Sequence, residues 1–231
     1  VLWSSDGIAV LSDEAPAGSA IHLQRIEALK QIAARGKIAA AREWIDTHLA
    51  GGQKLIVFAH HRAIVREIAD AYRSVCAGSI TGDTPLAERQ AVVDRFQQDP
   101  SKTLIVLNIK AGGVGLPLTA ASTVLFLELG WTPGEHDQAE DRCHRIGQRN
   151  AVAAYYLVGV KTLDTEIYDL IEAKRVVTDS VNIGTDAGAG GSIFGDLMKV
   201  VAGRTRTAEA IEESAKAAAA KVAEAAKVAA A

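Results

Sequence analysis

The chain holds only two cysteines in 231 residues, Cys76 and Cys143, and they fall outside any Cys-x-x-Cys spacing. That excludes a disulfide framework and a cysteine-built zinc site, and it suits a reducing compartment. No apolar run approaches the length needed to span a bilayer, and no basic segment precedes an apolar one at the start, as a secretory signal requires. The formal net charge of −3 excludes a chain that is basic throughout, although a local basic groove remains open because position decides binding. An initiator Met is also lacking, which points to a piece of a longer chain. What remains is the composition of a soluble globular protein, 48% hydrophobic and 23% charged, with enough length for one sizeable core and appendages.

Residues 1–20 read as a connector. From Ile21 to about Leu49, apolar residues recur at helical spacing, and Gly36 is expected to split them into two amphipathic helices, giving a helical lead-in over 21–52. A different rhythm follows. Short apolar runs at Lys54–Ala59, Gly78–Ile80, Thr103–Leu107, Thr123–Leu127 and Ala153–Val158 alternate with amphipathic stretches, among them His61–Val75 and Pro85–Gln98, the second with Thr84 as its expected cap. Asp164–Lys174 supplies a further helix. Continuous apolar strands alternating with helices predict an α/β domain over 53–182, a parallel sheet covered on both faces, with ligands outside the carboxyl ends of the strands. Residues 183–207 read as a Gly-rich linker, and 208–231 as an Ala-rich tail that is helical or disordered.

Several stretches could carry chemistry. In Gln138–Gln148 (QAEDRCHRIGQ), Thr132 and Pro133 predict a helix start, Glu135 a capping-box partner, and Gly147 the end. On one helix, Gln138, Arg142 and Arg145 would share a face, and two guanidiniums there could grip phosphate oxygens. A solvated face paired with Glu140 and Asp141 is an equal reading of the same spacing. Asn108 to Leu116 (NIKAGGVGL) follows a strand, and its glycines could let backbone N–H groups approach a phosphate, although a purely structural turn fits as well. It is not a Walker A loop, nor does it complete Gly-x-Gly-x-x-Gly. His60 and His61 sit where a strand turns into a helix; adjacent histidines diverge and no third ligand stands at a zinc-like spacing, so no metal is expected. Thr81-Gly82-Asp83, followed by Arg89, is a turn with a surface arginine or a phosphate contact. Trp131 is a stacking surface if exposed and core if buried.

Together these stretches resemble one family. QAEDRCHRIGQ is similar to the last signature motif of SWI/SNF-related superfamily 2 DNA translocases. Asn108–Thr119 (NIKAGGVGLPLT) resembles the motif before it, Lys54–His61 (KLIVFAHH) the first motif of their second lobe, and Ile80–Arg89 the element between. The motifs keep the family's order over residues 22–182, and Phe58–His61 with Gln138–Arg142 lean towards the annealing-helicase branch. The resemblance implies the second RecA-like lobe of a two-lobe motor, with DNA repair as its setting. It implies ATP and Mg²⁺ held mainly by a first lobe of the same parent chain, Arg142 and Arg145 as arginine fingers, and Gln138, Asp141, Gly113 and Gly115 near the nucleotide. His60, His61, Gly82, Asn108, Lys110, Gly112 and Trp131 match positions on or near a double-stranded or forked DNA. Pro117 and Thr132 depart from the family's usual Asn. With no Walker A lysine or Asp-Glu-Ala-His motif in the chain, the lobe alone is expected to be inactive. It is expected to be a monomer with no membrane partner, nuclear in a eukaryote and nucleoid-associated in a bacterial cytoplasm. The rival readings are a DNA-binding or scaffold lobe without motor activity, and a dinucleotide-type α/β domain, which lacks its glycine fingerprint.

Overall fold

The structure is a computed structural model that describes residues 2–3, 9–10, 17–111, 116–143, 148 and 150–182, with side chains between 24 and 175. A short antiparallel pair, β1 (Leu2–Trp3) with β2 (Ala9–Val10), precedes helix α1 (Ala17–Ala50). The expected connector over 1–20 therefore contains strand and the first helical turn. The body alternates as predicted: β3 (Leu55–Ala59), α2 (Arg62–Ala71), β4 (Cys76–Ile80), α3 (Leu86–Gln98), β5 (Leu104–Asn108), β6 (Thr123–Phe126), α4 (Pro133–Glu140), β7 (Ala153–Tyr156) and α5 (Leu163–Asn182).

Strands β3 to β7 form one parallel sheet in the order β4-β5-β3-β6-β7. Because alternate side chains point to opposite faces, β3 divides its five buried residues between two cores. Ile56 and Phe58 pack with Ile105, Leu107, Val124, Phe126 and the α3 residues Val92, Val93 and Phe96. Leu55, Val57 and Ala59 pack with Ala34, Ala41 and Ile45 of α1 and Ile64, Val65 and Ile68 of α2. Burial on both faces is why these strands read as unbroken apolar runs. A parallel sheet covered on both faces is the arrangement that the resemblance to a RecA-like second lobe implies. No helix among the described residues is long and apolar enough to cross a membrane.

Three local expectations are corrected. Gly36 does not divide α1, which runs through it for 34 residues. The glycine costs about 1 kcal/mol in a helix interior, but buried Ala33, Ala34, Lys37, Ala41 and Ile45 hold the helix on both sides of it. Thr84 does not cap α3: its hydroxyl accepts from Thr81 N at 2.9 Å, and Pro85 takes the cap position without a side-chain bond. Finally, α5 extends well past Lys174, to Asn182.

Gly78 sits at the register shift between Cys76 and Ser79 with φ +145°, and a Cβ there would lie 2.8 Å from Val92 Cγ2. Gly78→Ala is expected to cost about 1–3 kcal/mol, because strained backbone and overpacking add. A denaturant midpoint lowered with an unchanged slope checks it.

Candidate functional site

Five parallel strands place five carboxyl ends on one edge, and most of the residues singled out from the sequence gather there. His60 and His61 follow β3, Gly82 follows β4, Asn108 closes β5 with Lys110 just beyond, and Trp131 follows β6. Gly112, Gly113, Gly115 and Arg145 lie outside the described residues.

The β3–α2 corner is fixed by Glu128, a residue just beyond β6 that is 2% exposed. One of its oxygens accepts from His60 N at 2.9 Å and His61 N at 2.8 Å, and the other meets His61 Nδ1 at 2.5 Å. On the far side of the ring, His61 Nε2 lies 3.2 Å from Glu27 Oε2 of α1, which is also 3.8 Å from His60 Nε2. Burial works against a charged His61 ring, but the bonds to Glu128 and Glu27 outweigh it and hold its pKa up at about 9. His60 is driven the other way, well below 6.5, by its own burial and then by Lys30 and the charged His61. Thus the pair divides into one imidazolium and one neutral ring. His61, expected near DNA, has both ring nitrogens committed to carboxylates inside the protein.

Asn108 likewise serves the edge from within. Its amide nitrogen donates to His60 O, and its oxygen accepts from Lys110 N at 3.1 Å, tying the β5 loop to the β3 corner. Trp131 is half-buried and falls between the two expected cases: Lys30 Nζ lies 3.9 Å from its ring centroid, and the His60 ring meets it edge-on at 6.1 Å. Lys30 also donates to Leu129 O at 3.0 Å, and burial pushes its pKa down to about 8 against the pull of Glu27 and Glu128. One helix heptad further along, Lys37 donates to Leu157 O at 2.8 Å and pairs with Asp164 at 2.5 Å. Glu27, Lys30 and Lys37 thus bind α1 to loops at the carboxyl edge. Sequence reasoning gave these three no role. Their spacing of three and ten residues on one helix face, among apolar neighbours, was the available signal.

The turn after β4 is held by Arg89, for which a surface arginine is one of the readings open from the sequence. Its guanidinium donates to Thr84 O at 2.7 Å, Gly82 O at 2.9 Å and Thr81 O at 3.1 Å. Arg62 pairs with Asp83 across the same turn.

The stretch 138–148 is not one helix. Thr132 caps α4 as predicted, accepting from Glu135 N at 3.2 Å, while Glu135 reaches back one residue further than a capping box, to Trp131 N at 2.6 Å. The helix ends at Glu140, and Asp141 to Cys143 form a turn. Arg142 is therefore not on a shared helical face with exposed Gln138. It is 6% exposed, and its carbonyl accepts from Leu118 N at 2.9 Å, which seats the turn against the chain returning from β5. Exposed Asp141 is the C-cap residue. The acidic residues of α4 are answered by Arg175 of α5, which pairs with Asp137 at 3.1 Å and Glu140 at 3.5 Å and donates to Tyr156 Oη at 3.0 Å. Gln148 closes the stretch by donating to Ala121 O at 2.8 Å.

His136 of α4 is fully buried; Nε2 accepts from Gly130 N at 3.0 Å and Nδ1 meets Thr132 O at 3.1 Å. Burial lowers its pKa to about 4 from an ordinary 6.5. Below 6.5 the unfolded chain takes up this proton before the folded one, so stability is intact above pH 6.5 and declines towards pH 4. The loss assigned to this group is on the order of 2–3 kcal/mol. Chemical denaturation at pH 7 and pH 4.5 should show a smaller drop for His136→Gln than for the native chain.

Residues 36–147 match the helicase conserved C-terminal domain. The chain is 40% identical over 147 residues to the DNA annealing helicase and endonuclease ZRANB3 of Bos taurus, covering 62% of this chain and 14% of that protein. It is 40% identical over 136 residues to the Caenorhabditis elegans homologue of SWI/SNF-related matrix-associated actin-dependent regulator of chromatin subfamily A-like protein 1, covering 58% and 20%. The chain thus spans a fifth or less of these relatives. Among solved structures, the Sulfolobus solfataricus SWI2/SNF2 ATPase core in complex with dsDNA superposes with a TM-score of 0.58 at 29% identity, over 76% of this chain and 40% of that one. Over residues 36–147 the chain is thus similar to the helicase conserved C-terminal domain, and these relatives and structural neighbours are of the SWI/SNF-related kind.

Proposed function

We propose that this chain is the second motor lobe of an ATP-dependent translocase acting on double-stranded or forked DNA. The observation that carries the reading is the gathering of His60, Gly82, Asn108, Lys110 and Trp131 on one edge of a parallel sheet. The likeness to a SWI2/SNF2 core bound to dsDNA supports it. At that edge Lys110 supplies charge for a phosphate backbone, and the Asn108–His60 tie keeps its loop in place, so backbone contacts fix position without reading sequence. His61, Glu128 and Arg89 act behind these groups as positioning residues.

ATP with Mg²⁺ would supply the free energy of each step and be held mainly by a first lobe of the parent chain. The donor set here fits the phosphate side of that arrangement: Arg142 presents a guanidinium that stays charged even when buried, on a turn braced by Leu118. Arg142 and Arg145 would stabilise charge on the transferring phosphoryl oxygens, and Gln138, Asp141, Gly113 and Gly115 would line the approach. The lobe by itself would not turn over ATP, and the parent protein would work as a monomer. The test is ATP hydrolysis by the full-length protein with and without a dsDNA fork. Strong stimulation by the fork is the expected result; DNA binding without any stimulated turnover would instead leave a scaffold lobe.

A further inference from the structure

We infer that Glu27, His60 and His61 form a binding site for a divalent transition-metal ion of the zinc type. One ligand atom from each lies within 4.8 Å of the others. Glu27 Oε2 is already 3.2 Å from His61 Nε2 and 3.8 Å from His60 Nε2. Around a tetrahedral ion with bonds of about 2.0–2.1 Å, neighbouring ligand atoms stand roughly 3.3 Å apart. The two Glu27–histidine separations are within about 0.5 Å of that spacing, and the widest pair, within 4.8 Å, closes by at most about 1.5 Å when an ion binds.

Three further features suit an ion. Glu27 Oε1 is buried and makes no hydrogen bond among the described residues, so the carboxylate that faces the two histidines through Oε2 keeps an unused second oxygen. Glu128 holds His61 through Nδ1, and Nε2, which carries the proton shared with Glu27 in the metal-free chain, gives up that proton when an ion takes its place between them. A carboxylate on the far nitrogen of a ligating imidazole fixes ring orientation and strengthens the ligand. The ligands also stand on elements anchored independently of any ion: α1 by Lys30 to Leu129 O and Lys37 to Asp164, and the β3–α2 corner by Glu128. The nearby Lys30 ammonium is occupied by Leu129 O and the Trp131 face. Two imidazoles and one carboxylate select a zinc-like ion over magnesium, which takes oxygen ligands and keeps its waters. Three protein ligands leave a fourth position for water. The ion would staple α1 to the carboxyl edge of the sheet. This site does not depend on the motor reading.

The test uses the full chain without affinity-tag histidines, dialysed against Zn²⁺ and then against metal-free buffer, with retained zinc measured by mass spectrometry. About one equivalent per chain is expected. Titration with Co²⁺ should give the intense visible absorption of a tetrahedral site, and Zn²⁺ should raise the melting temperature. Glu27→Gln and His60→Gln should each weaken binding at least tenfold and abolish the melting shift. Retention far below one equivalent, a weak octahedral Co²⁺ spectrum, or unchanged binding by a folded Glu27→Gln chain would each overturn the site. Where a variant does not fold, the Co²⁺ spectrum of the unaltered chain decides alone.

Discussion

Replacing Arg142 by lysine in the full-length protein is expected to lower DNA-stimulated ATP hydrolysis by about 10³-fold or more, with dsDNA binding kept within about threefold. The asymmetry follows from where the charge acts. Phosphoryl transfer spreads charge over the equatorial oxygens only as the transition state forms, so a preplaced guanidinium lowers the barrier more than it strengthens ground-state binding. Lysine keeps the charge and loses the planar fork, so the substitution separates geometry from net charge. Arg142 is 6% exposed and seated through its carbonyl on Leu118 N. A change there could also loosen the turn, and the melting temperature of the variant must therefore be measured beside its turnover. Turnover within threefold of the native protein would remove Arg142 from the nucleotide's side of the cleft.

Glu128→Ala is expected to destabilise the domain by about 3–5 kcal/mol, a large share of the 5–15 kcal/mol that holds a typical domain folded. The substitution strips the acceptor from His60 N and His61 N and leaves the His61 imidazolium with Glu27 alone. Burial of an ion pair gives little net stability, but removing one member leaves the other largely buried with fewer partners. A double-mutant cycle distinguishes the causes. If the stranded charge dominates, Glu128→Ala with His61→Phe should cost less than the sum of the two single changes, with coupling above about 1 kcal/mol. Strict additivity would mean that the two backbone N–H groups, not the ring, are what Glu128 serves.

The two parts of the candidate site were legible to different degrees. Asn108, Lys110, His60 and Gly82 could be picked from the sequence because each follows a strand, and in a parallel sheet every strand end of that kind reaches the same edge. The stretch 138–148 misled where it was treated as one helix. Thr132 and Pro133 mark the start correctly, but α4 stops at Glu140, where Leu118 N bonds the Arg142 carbonyl and holds the following turn from a distant part of the chain.

By itself the sequence determined the class of the protein. Continuous apolar strands separated by amphipathic helices admit little besides a parallel sheet covered on both faces, and four ordered motifs resemble those of the second lobe of SWI/SNF-related motors. These signals are local in the chain, set by side-chain period and neighbouring residues. Only the tertiary structure decided that α1 is one helix and a working part of the site. Glu27 meets His61 across 34 residues, Lys30 reaches Leu129 across 99, and Lys37 reaches Leu157 across 120. Charged residues on a helix read as solvated until something covers them. Here the carboxyl edge of the sheet covers them, and burial turns three ordinary surface residue types into the groups that fix the edge.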